Sequence, residues 1–138
     1  MPVTMNWPSF FPASCPPAAS LPADGEVYRL TEGTRPGPRD FLSHRELFPK
    51  RRLPVSECAA CGISVYRDRH DITTLVRRIP KMLDRLQSLA LGVLRADFGV
   101  VVPTPSREEH SHCTWWIPLE AEPWSSFEPV DFPEKEAP

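Results

Sequence analysis

The chain has 138 residues, a formal charge of −2, 41% hydrophobic and 25% charged residues, which fits one globular domain. A near-neutral balance argues against a general nucleic-acid binder, which is normally basic, and no run approaches the ~20 apolar residues of a membrane span. Proline is the outlier: there are 18, about 13% against a usual ~5%, and each removes a backbone donor and resists helix or central strand.

Residues 1–24 read as a proline-rich arm. Trp7, Phe10 and Phe11 sit among its prolines, too aromatic for a purely solvated tail, so the arm is expected to lie extended with its rings as anchors. It lacks a basic start and a continuous apolar stretch, so no secretory signal is read here and a cytoplasmic setting is expected. There the four cysteines (Cys15, Cys58, Cys61 and Cys113) are expected as thiols or metal ligands rather than a disulfide framework.

Asp24-Gly25 signals a turn, and the alternation over residues 26–31 predicts a strand. Asp40 is placed to cap a short helix running to Phe48, which Pro49 stops. Ile63, Val65 and Tyr66 suit a strand. Asp71 opens the clearest helix, with Ile72, Leu75, Val76 and Ile79 at i, i+3, i+4 and i+7; Arg77 and Arg78 lie in its last turn, where cations favour the helix dipole. Residues 81–94 leave helix and strand both open; Gly92 and the apolar run at 98–102 favour a hairpin turning around Ala96-Asp97, residues 89–94 pairing with 100–102. Residues 113–119 read as a last strand. The expected architecture is α+β: a small antiparallel sheet, one or two helices and long proline-rich irregular flanks, with the domain at 25–119 and an acidic tail at 120–138.

Charge is unevenly spread. Arg35 to Arg85 holds 12 basic and 6 acidic residues, and the tail from Glu120 holds 6 acidic residues against Lys135. A basic middle and an acidic end can attract each other or face different partners. The basic group of Arg45, Lys50, Arg51, Arg52, Arg77, Arg78, Lys81 and Arg85 has no aromatic interleaving and no nucleic-acid motif. It is expected to be a solvated face.

Two clusters carry possible chemistry. Cys58-Ala-Ala-Cys61 followed by Gly62 can present two thiolates to one cation, and His110 and His112 share a face of an extended segment. A structural zinc on Cys58, Cys61, His110 and His112 would be a Cys2His2 site. Cys113 next to His112 is poorly placed for a nucleophile–base pair, because adjacent residues on a strand point apart.

Val27-Tyr28-Arg29-Leu30 followed by Phe41-Leu42-Ser43 resembles the opening of ADP-ribosyltransferase-type toxins. That resemblance spans about 20 residues. It implies Arg29 and Ser43 around a nicotinamide pocket and a later glutamate, Glu109 or Glu120, as the acid.

No catalytic set converges in the sequence. The reading favoured is a non-catalytic accessory or regulatory module that binds another protein, with Trp7, Phe10, Trp116, Trp124 and Phe127 as contact rings. An ADP-ribosyltransferase-like or nucleotide-handling enzyme is the alternative.

Overall fold

A computed structural model describes residues 5–132. Seven strands form one antiparallel sheet: β1 (Leu21–Pro22), β2 (Gly25–Thr31), β3 (Ile63–Tyr66), β4 (Ser88–Leu94), β5 (Val100–Pro103), β6 (His112–Trp116) and β7 (Phe127–Val130). Their order is β1-β5-β6-β3-β2-β4-β7. Three helices accompany them: α1 (His44–Leu47), α2 (Glu57–Ala60) and α3 (Arg69–Arg78). The class is α+β with a small helical part, as the composition suggested. No helix among the described residues is long and apolar enough to cross a membrane.

Strand alternation sends side chains to two cores. One face gathers Val27, Ile63, Val65, Ala90, Leu94, Val101, Cys113, Trp115 and Phe127, with Phe41 and Phe98 packed over them. Phe41 meets Phe127 edge-on at 4.9 Å, and Trp115 stacks on Phe127 at 6.0 Å. The opposite face holds Leu30, Tyr66 and Leu89 under Ile72, Leu75 and Val76 of α3. Ile72, Leu75 and Val76 are three of the four residues of the stripe read from the sequence; the fourth, Ile79, follows the last residue of α3 as its C-cap and is exposed. The helix starts earlier than Asp71, because Asp68 caps it by accepting from the His70 amide. Asp71 turns inward and accepts from the Ser111 amide and hydroxyl, fastening α3 to the loop before β6.

The expected hairpin of 89–94 with 100–102 does not form. β4 pairs with β2 over seven residues, from Gly25↔Leu94 to Thr31↔Ser88, and with β7 on its other side; β5 pairs with β6 and β1. Gly92 lies within β4, opposite Val27 on one side and Phe127 on the other. A Cβ there would lie 2.5 Å from the Phe127 ring, so the glycine makes the seat for that ring. The chain does turn after β4 at Ala96–Phe98, but it leads to β5 elsewhere in the sheet rather than back along β4; Gly99 follows with a φ of 118°, which strains any other residue, and a Cβ there would strike the Trp116 carbonyl.

The helix expected from Asp40 to Phe48 is broken into a 3-10 turn at Pro38–Phe41 and α1. Ser43 caps α1 in a reciprocal box with Glu46, while Asp40 instead ties back the Glu32 and Gly37 amides. The last strand, expected to reach residue 119, ends at Trp116. Both flanks enter the sheet. Ala23 is buried beside β1, and β7 lies within the stretch read as an acidic tail; the rest of that tail, 133–138, lies outside the described residues.

Between β2 and β3 the ladder is a single pair, Tyr28↔Tyr66. The Arg29 side chain bridges the divergence, donating from Nη1 to the Ser64 carbonyl (2.7 Å) and from Nε to the Asp40 carbonyl (2.8 Å). Burial pushes its pKa down to about 10, against the opposing pull of Asp40.

Candidate functional site

The cysteines depart from expectation. Cys15 and Cys58 form a disulfide, joining the arm to α2. The Cys58–Cys61 segment is one helical turn capped by Ser56. Cys61 is a buried free thiol near the Glu57 carboxylate, and burial, with Glu57 adding to it, pushes its pKa up to about 11. A thiol held protonated is a poor nucleophile. Cys113 is also free and buried.

The histidines are engaged elsewhere. His110 is exposed and its Nε2 lies 3.0 Å from the Arg107 carbonyl. His112 has Nδ1 at 2.7 Å from Thr104 Oγ1 and 2.9 Å from the Thr104 carbonyl, and Nε2 at 2.8 Å from Ser64 Oγ. Among the described residues no three His, Cys, Asp or Glu side chains are grouped to hold a metal ion.

The residues implied by the transferase resemblance serve the backbone. Arg29 holds two carbonyls, and Ser43 is buried as a helix cap. Glu109 is 3% exposed, ion-paired to Arg78 and linked to Ser106; Glu120 accepts from Asn6. Tyr66, beside Glu109 and Asp71, has its pKa pushed up to about 12, chiefly by burial.

The contact rings divide sharply. Trp116 (2% exposed) and Phe127 (4%) are core residues. At Trp115 and Trp116 both faces of β6 are covered, and Trp116 donates its indole N–H to the Cys58 carbonyl at 2.9 Å. Trp124 is half-buried against Phe41. The arm is different. Phe10 is 42% exposed and meets Phe11 edge-on at 5.3 Å; Phe11 stacks on Trp7 at 5.8 Å. The arm is pinned before these rings, where Leu119 N–H donates to the Asn6 carbonyl, and after them by the disulfide. That second pin was beyond sequence reasoning, since its partner lies 43 residues away.

Two other surface features lie outside the ring stack. A cavity of about 300 Å³ is lined by Met5, Arg95, Asp97, Pro118, Glu120 and Glu122, among others. In the basic loop between α1 and α2, Arg45 donates to the Phe48, Pro49 and Arg51 carbonyls and grips Glu57 with its other two nitrogens. Lys50, Arg51 and Arg52 stay exposed there, with the Arg51 guanidinium 4.3 Å over the Phe48 ring.

Comparison with protein-family models, with curated proteins and with solved structures finds no match to this chain.

Proposed function

We propose that this protein is an accessory or regulatory module that binds another protein through its aromatic arm. The observation that carries this is the Phe10–Phe11–Trp7 ring stack, exposed at Phe10 yet held at both ends of its segment. An exposed aromatic is a common binding hot spot, and fixing it in advance removes much of the ordering cost of association. Chemistry at Arg29 and Ser43 would require those groups to be free, and each is committed to the backbone.

A photo-crosslinking residue at position 10 in the full chain tests the reading. It should trap one protein species in the source cells, and Phe10→Ala should weaken that complex by at least tenfold. Crosslinking at position 10 no stronger than at Val93, an exposed position on β4, would sink it.

A structural zinc on Cys58, Cys61, His110 and His112 is compatible only with the reduced chain, because a disulfide sulfur is not a thiolate ligand. Elemental analysis should then find zinc in reduced protein and none in oxidised protein.

A further inference from the structure

The exposed strip of sheet beside α3 carries an arrangement that the interaction reading does not use. Ser64 of β3 and His112 of β6 project from the same face, in the register Ser64↔Thr114 and Tyr66↔His112. Ser64 is exposed and His112 half-buried.

The contacts around His112 are compatible with the tautomer that a general base at Nε2 requires. In that tautomer Nδ1–H donates to the Thr104 carbonyl at 2.9 Å, and Thr104 Oγ1 directs its own proton to Thr114 Oγ1 at 2.9 Å. Nε2 then accepts from the Ser64 hydroxyl, whose Oγ is 2.8 Å away. The arrangement sets a serine hydroxyl against an imidazole whose far nitrogen is held by a third group. These are the parts of an activated nucleophile.

The geometry points to Ser64 as an acyl acceptor with His112 as its general base, taking acyl groups from esters or thioesters with good leaving groups. Ser64 Oγ forms a bond to the acyl carbon, and the bond from that carbon to the leaving oxygen or sulfur breaks. The hydroxyl proton passes to His112 Nε2 and then to the departing atom. Water, deprotonated by the same imidazole, later cleaves the serine ester and releases the carboxylic acid.

The requirement for a good leaving group follows from exposure. On an open strand face water solvates the tetrahedral oxyanion, and the large gain from fixed donors in a dry site is forgone. Amides are therefore outside its range. The strip is open, so the donor is small or presents its acyl group at an end. This activity is independent of the arm and does not require a partner bound there.

The test uses the full oxidised chain and a fluorophosphonate probe, with modified residues mapped by mass spectrometry. In that reaction Ser64 Oγ bonds to phosphorus, the P–F bond breaks, fluoride leaves and His112 takes the proton. Ser64 should label at least about 100-fold faster than Ser125, an exposed serine on the same molecule. His112→Gln keeps a hydrogen-bonding side chain without the base and should lose that advantage, as p-nitrophenyl acetate turnover should too. Equal labelling of Ser64 and Ser125 in the wild-type chain would overturn the assignment without reference to any variant. So would a folded His112→Gln protein, checked by its melting temperature, that labels Ser64 at the wild-type rate.

Discussion

Replacing both Cys15 and Cys58 by serine should loosen the arm and destabilise the whole molecule. The bond closes a segment with a sequence separation of 43, and the chain-entropy relation for such a loop gives about 4 kcal/mol at 25 °C. Locally the argument is sharper. Fixing one residue costs roughly 1–2 kcal/mol of backbone entropy. From Pro8 to Ser20 the backbone bonds within the arm are Phe11 N–H to the Pro8 carbonyl and Ser20 N–H to the Pro17 carbonyl. At about 1 kcal/mol each these cannot offset the ordering, so ring packing and the covalent tie must hold the segment. The assay is urea unfolding followed by tryptophan emission, together with amide exchange of residues 9–20. The midpoint should fall with little change in slope, and arm amides should exchange far faster while β2 and β4 stay protected. A double mutant within about 0.5 kcal/mol of wild type, the range of an ordinary surface substitution, with unchanged arm exchange, would refute the reasoning. Disulfides persist in oxidising settings, so the same loosening on adding a reductant would make the arm's display dependent on the compartment.

Two further outcomes are expected. Gly92→Ala places a methyl group into the Phe127 ring and should cost about 1–3 kcal/mol by overpacking; in a Phe127→Leu background most of that cost should vanish, as a double-mutant cycle by chemical denaturation would show. For Cys61, the thiol ionises at its ordinary value of 9.0 once unfolded and at about 11 when folded. Between those values the unfolded chain loses its proton first, so stability should fall as pH rises through that window, and Cys61→Ala should flatten the profile of unfolding free energy against pH.

What the sequence made legible was local. The stripe of Ile72, Leu75 and Val76 and the alternation of β2 report on immediate neighbours, and both stand in the fold. Gly92 reads as support for a pairing of 89–94 with 100–102, while its role depends on Phe127, 35 residues on. A glycine in an apolar run reads equally as a turn or as room for another ring. Trp116 illustrates the same limit. Alternation gives one face of a strand to the core, but at Trp115 and Trp116 both faces of β6 are covered, and the second cover is α2 held against the indole by the Cys58 carbonyl. The pairing of Cys15 with Cys58 and the meeting of Ser64 with His112 are tertiary facts. No spacing rule links residues 43 or 48 apart, and His112 as a ligand or as a base calls for the same residue type.

The lone Tyr28↔Tyr66 pair has a mechanical meaning. Everywhere else neighbouring strands share at least two rungs; here one rung is supplemented by the Arg29 and Arg67 guanidiniums reaching across to carbonyls and by the cores shared on both faces. On warming, amide exchange should rise first along this seam, where Arg29 supplies bonds that the ladder lacks, and later in the seven-rung pairing of β2 with β4.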